Sequence, residues 1–597
     1  NLTNNPWLYT FNPTKIDDNN TTTKYILILF TIVLLLFKKV FLVLWYNRKN
    51  MTYSNPLSRI TSLVNLHKKE VTSIYLFSML SGLINLSLPL GVQTIIGLVM
   101  GATMVSSIYV LIFLVVLGVF LVGLLQMNQM KIIETIQQRI FANYAYAFAD
   151  TIPRLDLKQM DHYFIPEKVN RFFDTVNIQK GFAKLLLDIP IASVQILFGI
   201  VLLALYHPLF ILLGVILFIL LVLILNYTSK KGISTSIEES NYKYEVVGFF
   251  NEMARTLKSF KFSQGSDLNF EKTNSHTRGY LQARTQHFEV LLFQYKSLIF
   301  FKVSLTILML TLGTYLLVEQ QLNIGEFIAA EIVILMVIGA VEKLITSLDS
   351  AYDVITGLEK IASVTESPTE HSGKLDLDVQ KGLDIQMTGF SFSFDADHKV
   401  LDSISLRIKP GQKVSISGPE GSGKSILLRM LTGNYQDFLG SFQINHFPIQ
   451  NYKLQSLRKY TGVLLHGQEI FGGSLWENIS LGQKEITPAS ILQKANELGF
   501  DDLLHHFPEG FDTIIEPIGK KTPQTIIRKI LILRALCGDK KLLLLEEPWA
   551  GLQVETADKI KKYLLTQPAD TSVIVVSNDT EFNNLTDQQI NMHHGKI

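Results

Sequence analysis

At roughly 150 residues per domain, a chain of 597 residues allows about four domains, and fewer if one of them is a large membrane unit. Hydrophobic residues make up 48% and charged residues 18%, against about 25% charged in an ordinary soluble domain, so the composition points to lipid. The formal net charge of +2 gives no reason to expect a nucleic-acid partner, and the single cysteine, Cys537, excludes both an intramolecular disulfide and a cysteine-based zinc cluster.

The first residue is Asn1 and the first Met is Met51. Asn1 to Lys24 is rich in Asn and Thr and has no helical period, whereas Tyr25 to Tyr46 is apolar except for Thr31 and Lys38-Lys39. The positive start and small-residue cleavage site of a signal peptide are both missing. Residues 1–50 therefore read as an extension: an extra span, an interfacial helix, or sequence upstream of a protein that starts at Met51.

From Val71 onward, six apolar segments approach or exceed the roughly 20 residues a helix needs to cross the hydrocarbon: Val71 to Met100, Val105 to Leu125, Leu185 to Tyr206, Pro208 to Leu225, Leu298 to Val318 and Phe327 to Ile345. Three of their connections are short and carry no Lys or Arg. The two long ones, Lys131 to Phe182 and Tyr227 to Ser297, carry seven and ten, which makes them cytoplasmic by the positive-inside tendency. Lys131 to Ala149 and Tyr242 to Leu257 keep helical apolar spacing, so the helices are expected to continue past the bilayer.

The spans cease after Ile345, and Ser363 to Val379 reads as a polar linker. The predicted organisation is a membrane domain at 51–350, a linker at 351–382 and a second domain at 383–597. In the second domain, the β-branched or leucine runs Val414 to Ser417, Leu542 to Leu545 and Val573 to Ser577 alternate with helical stretches, which predicts a largely parallel α/β sheet.

Gly418-Pro419-Glu420-Gly421-Ser422-Gly423-Lys424-Ser425 fits the pattern G-x-x-x-x-G-K-[ST] directly after a predicted strand. Its glycines let backbone N–H groups face phosphate oxygens, and the helix that begins near Lys424 adds its positive end. Lys424 suits the β- and γ-phosphates, the Ser425 hydroxyl suits Mg²⁺, and Glu420 within the loop and Ile426 after it are further binding positions. Leu542 to Leu545 followed by Glu546-Glu547 reads as a buried parallel strand ending in acids, where ligands bind in such sheets. Glu546 is the expected Mg²⁺ partner and Glu547 the expected water-polarising base.

Six spans with long extensions, a linker and a P-loop domain together resemble a type I, exporter-type ABC half-transporter from about Met51 to Ile597. The stretches Phe390 to Phe394, Leu401 to Pro410, Ile470 to Ile479 and Asn323 to Ala330 are similar to that family's wording. The resemblance implies a six-helix transmembrane bundle followed by an ABC ATPase domain that binds ATP with Mg²⁺. Phe394 would stand at the adenine-stacking position, where stacking needs only a ring. It also implies short coupling helices within His162 to Asp174 and Phe249 to Ser263, and an inner-membrane location with a cytoplasmic nucleotide domain. With about 70 residues ahead of the first family span, no peptidase module is expected before the bundle.

Several family positions are occupied by other residues. His466 stands where the γ-phosphate-sensing glutamine is expected, with Gln468 nearby; Asn578 stands at the switch histidine, Gln553 at the usual Asp and Glu546 at the usual aspartate. The glycine-rich signature falls on Thr522-Pro523-Gln524-Thr525-Ile526, which contains no glycine, although Pro523 suits a first helical turn. In this family each ATP lies between one P-loop and the other subunit's signature. A homodimer of this chain would thus have no intact signature, so a heterodimer with a second half-transporter is favoured and slow hydrolysis is expected of the chain alone. The alternative is a catalytically weakened scaffold or regulatory subunit. Membrane lipid, an adaptor and an outer-membrane channel are further expected partners.

The pairs His505-His506 and His593-His594 have no companion ligands and read as surface histidines. Asp188, Lys302, Glu319, Glu326, Glu331, Glu342 and Lys343 lie in or near spans, where a charge is a pathway candidate, and Glu331 is the strongest of them.

Overall fold

The structure, a computed structural model, describes residues 56–597 apart from 102–105, 161–164, 264–265, 395–398 and 517–520. The predicted N-terminal extension lies outside the described residues. Internal contacts divide the chain into a helical unit that ends at Ser367 and a second unit that joins Arg154–His162 to Pro368–Ile597.

In the helical unit, five stretches among the described residues are long and apolar enough to cross a membrane: Lys68–Met100, Ser107–Arg154, Ile165–Tyr206, Leu268–Val318 and Ile324–Thr365. They take in five of the six predicted spans, and the sixth is not confirmed among the described residues. The fourth prediction, Pro208 to Leu225, falls on the helix Leu209–Arg255, several of whose side chains lie outside the described residues. The helices run well beyond the apolar segments, as expected of long extensions; the one ending at Val318 begins at Leu268.

Local chemistry explains the breaks. The first span is interrupted at Leu86, because Pro89 has no N–H to offer the carbonyl of Asn85. His207 is extended (φ −156°, ψ 137°), as a residue before proline prefers, and this ends the helix Asp174–Tyr206. Tyr109, Phe113, Val116 and Phe120 leave a broad apolar face exposed on Ser107–Thr151, as hydrocarbon requires.

The charges near the spans mostly have structural partners. Glu326 closes a capping box: its backbone N–H donates to the Asn323 side chain at 2.8 Å, and its carboxylate accepts the Asn323 N–H at 2.9 Å. Lys302 pairs with Glu342 at 2.7 Å, and Asp188 accepts a 3.3 Å hydrogen bond from Ser347. Glu331 is half-buried.

The last helix of this unit continues through Thr365, inside the predicted linker, because Tyr352, Ile355, Leu358 and Ile361 keep the buried helical period going. The polar chain after it runs along the second unit: Gly373 N–H donates to Tyr452 O at 2.9 Å, and Arg458 grips Glu370 through two bonds of 2.8 and 2.7 Å.

Arg154–His162 also belongs to the second unit. It pairs at Leu155 with Thr369, and Lys158 donates to Asp437 at 2.6 Å with its ammonium 5.4 Å from the centre of the Phe392 ring. Leu157 packs against the apolar core of the second unit, and the helix Asp174–Tyr206 packs among the long helices. The predicted stretch His162 to Asp174 contains a short helix at Ile165–Val169. The other predicted stretch, Phe249 to Ser263, contains a short helix at Leu257–Phe262.

The second unit contains the predicted parallel sheet. Its strands are β1 (Ile385–Ser393), β2 (Lys399–Ile408), β3 (Lys413–Ser417), β4 (Leu439–Ile444), β5 (Phe447–Pro448), β6 (Thr461–Leu464), β7 (Gly473–Ser474), β8 (Ile514–Ile515), β9 (Leu542–Glu546), β10 (Ser572–Val576) and β11 (Gln588–Asn591). The parallel sheet runs β11-β3-β10-β9-β6. An antiparallel sheet in the order β2-β1-β4-β5 adds a layer that sequence pattern did not reveal.

Leu542 and Leu544 enter one core cluster and Leu543 and Leu545 the other, so the central strand is buried on both faces. Val576 lies opposite Ile416 on one side and Glu546 on the other, which brings the carboxyl ends of β3, β10 and β9 level.

Arg458→Met removes both bonds to Glu370, whose side chain is only 9% exposed. Leaving that carboxylate unpaired is expected to cost about 3 kcal/mol, read as a lower thermal midpoint, with much of the loss recovered by adding Glu370→Gln.

Candidate functional site

The loop after β3 turns because Gly418 has φ +141°, and a Cβ there would meet Met592 O at 2.2 Å. Gly423, at φ +96°, caps the helix Lys424–Leu431, whose free N–H groups and positive end face the loop. The Lys424 ammonium bridges the same loop, donating to Gly418 O and Pro419 O at 2.7 Å each and to Ser422 Oγ at 3.3 Å. The predicted phosphate cradle is thus formed as a loop, with Glu420 exposed and Ile426 packed against the core.

At the end of β9, Glu546 joins three elements. One carboxylate oxygen accepts from the Ser425 hydroxyl, and the other accepts the His466 backbone N–H at 2.9 Å. Glu547 turns away from the strand with φ +43°, its N–H donating to Val576 O at 2.9 Å. The Ser577 hydroxyl donates to its carboxylate at 3.1 Å. Asn578, two residues beyond β10, accepts the Gly418 N–H at 3.3 Å.

The structure therefore brings Lys424, Ser425, Glu546, Glu547, His466 and Asn578 to one edge of the sheet. Gln468 is turned elsewhere, its side-chain oxygen accepting Leu465 N–H at 3.3 Å. Phe394 is half-buried and packs edge-on with Phe392 and Tyr435, at 5.0 and 5.7 Å between ring centres. Of the signature-position residues, Pro523 is extended (φ −56°, ψ 142°) and precedes the helix Gln524–Leu536 instead of lying in its first turn. Gln524 and Thr525 are exposed, Thr522 is half-buried and Ile526 is buried.

Sequence reasoning missed two members of the site. Ser577 had no motif to mark it. Arg528 reaches from the helix Gln524–Leu536 to the carbonyls of Glu546, at 2.9 Å, and Glu547. Burial lowers its pKa below the ordinary arginine value, against the opposing pull of Glu547 and Glu546. The available signal was the cation pair Arg528-Lys529 in the otherwise apolar run from Ile526 to Leu533.

Mg²⁺ prefers hard oxygen donors and keeps several waters, taking one or two protein ligands beside substrate phosphates. The touching Ser425 hydroxyl and Glu546 carboxylate fit that demand. Among the described residues no three His, Cys, Asp or Glu side chains form a metal cage, so the phosphates would have to complete the shell. Gly418→Ala is expected to destabilise the domain by about 1–3 kcal/mol, since alanine is strained at this φ and its methyl meets a carbonyl; thermal unfolding measures it.

Residues 71–341 match the ABC transporter transmembrane region and residues 401–550 match the ABC transporter family, together more than two thirds of the chain. Over 274 residues it is 28% identical to an uncharacterized ABC transporter ATP-binding protein of Bacillus subtilis (strain 168), covering 46% of this chain and 48% of that one. Over 296 residues it is 28% identical to the alpha-hemolysin translocation ATP-binding protein of Escherichia coli, covering 49% and 42%. The chain spans about half the length of the curated relatives it matches. Its fold matches the structure of a bacterial Atm1-family ABC exporter with ATP bound at a TM-score of 0.79 and 17% identity, covering 89% of this chain and 94% of that one. The exporter fold, the apolar helices and the matched regions agree: the chain belongs to the ABC transporters, a multi-pass membrane protein with a transmembrane region and an ABC ATP-binding domain fused in one polypeptide.

Proposed function

We propose that the chain is one subunit of an ATP-driven exporter in a bacterial inner membrane, paired with a second ABC half-transporter whose signature is more standard, and that it hydrolyses ATP slowly alone. One observation carries the reading. Lys424, Ser425, Glu546 and Glu547 converge at the sheet edge, while the signature position has no glycine and ends in the buried Ile526.

Lys424 and the loop N–H groups bind the phosphates, and Phe394 offers its ring for the base to stack on. Mg²⁺, when bound, supplies positive charge that stabilises the transferring phosphoryl group. Ser577 orients the Glu547 carboxylate, which accepts the proton of an attacking water. Asn578 is engaged with Gly418 N–H, and His466 reaches the acids through its main chain, so neither side chain supplies the positioned donor the family uses. Missing donors of that kind cost about 10²–10³ in rate.

Lys424→Ala is expected to weaken binding of a labelled adenine nucleotide with magnesium about ten- to a hundredfold, measured by equilibrium binding to the purified chain. Unchanged affinity would remove the basis of the proposal.

Turnover of the chain alone is expected to be slow, to vanish in Glu547→Gln, and to rise at least about tenfold in the double variant His466→Gln, Asn578→His. Brisk turnover of the unaltered chain would argue for a homodimeric exporter. Tight nucleotide binding without any turnover, even beside a partner subunit, would identify a regulatory or scaffold subunit.

A further inference from the structure

We propose that Arg528 is a positioning residue: it clamps the carbonyls at the end of β9 and so holds Glu547 where its carboxylate meets the Ser577 hydroxyl. The proposal rests on the reading of Glu547 as the water-polarising group.

The arrangement is specific. A single guanidinium nitrogen, Nη2, donates to both Glu546 O, at 2.9 Å, and Glu547 O, while Nε is buried without a hydrogen-bond partner among the described residues. Ordinary helix or strand capping would not place a half-buried arginine there. Glu547 has φ +43°, a left-handed conformation that non-glycine side chains resist, and it persists only where surrounding contacts hold it. Those contacts are few: its N–H donates to Val576 O at 2.9 Å, and its carbonyl accepts from Ala550 N–H at 3.1 Å and from Arg528. The guanidinium supplies a charge-assisted bond to the backbone of this turn, beside the one the Ser577 hydroxyl makes to the carboxylate, and such bonds are roughly twice as strong as neutral ones.

Arg528 also stands two residues after Ile526, on the helix that begins within the signature position at Gln524. It therefore links that helix start to the base through one side chain. A shift of the helix would reach Glu547 through the clamp with no change at the P-loop.

Three forms of the full-length purified chain test this: unaltered, Arg528→Met and Arg528→Lys. Amide hydrogen exchange of the segment from Leu545 to Trp549 reads the clamp directly and needs no turnover. Arg528→Met is expected to speed exchange there about tenfold or more, with nucleotide affinity changed less than about threefold. Arg528→Lys, which keeps the charge and one donor, is expected to fall between the two. Where turnover is measurable, kcat is expected to fall at least tenfold in Arg528→Met with KM nearly unchanged, and to recover in part in Arg528→Lys.

Unchanged exchange in Arg528→Met would overturn the proposal, as would a uniform rise across the whole nucleotide domain, which marks general loosening. Loss of nucleotide affinity in the unaltered chain would instead overturn the functional reading of the site, leaving the exchange result to decide the clamp on its own.

Discussion

The parallel register of β3, β10 and β9 is the constraint on which the rest of the site depends. Val576 sits opposite both Ile416 and Glu546, so three strands finish level and point the same way. Each then releases a loop with different chemistry: phosphate-binding amides and a lysine after β3, two acids at the end of β9, and a hydroxyl and an amide after β10. Parallel strands can do this because crossover connections return every strand to the same starting edge. The sheet stays rigid because both faces are buried, with successive leucines of β9 entering opposite cores.

Short-range geometry then refines the edge. Glu546 joins the P-loop helix, through Ser425, to the chain after β6, through His466 N–H. Glu547 is held in a conformation its residue type disfavours, with Val576, Ser577 and Arg528 fixing its backbone and carboxylate. A site whose polar and charged groups rest on three different strand ends and one helix is positioned by the fold as a whole, which is what a pre-organised site requires.

The helical unit meets a different physical demand. Its long helices satisfy their backbone groups internally, and their outer faces carry exposed aromatic and aliphatic side chains, as a lipid solvent requires. Charges near its spans are absorbed by local partners, as in the Asn323–Glu326 cap and the Lys302–Glu342 pair. Several residues that intramembrane position alone had marked for transport therefore have structural duties. The segment Arg154–His162 belongs to the second unit, held there by backbone pairing at Thr369 and by the Lys158 side chain on Asp437.

Sequence by itself determined the two-part organisation, most of the spans, the P-loop and the acids after β9, because each follows from local rules: apolar length, glycine at positive φ, and a buried strand's run of leucines. Only tertiary structure decided which residues meet. It set His466 and not Gln468 beside Glu546, engaged Asn578 with Gly418, and brought Arg528 to Glu547. Those contacts join residues 18 to 160 positions apart. They arise from strand order, helix rotation and side-chain reach, quantities that a one-dimensional pattern of residue types does not encode.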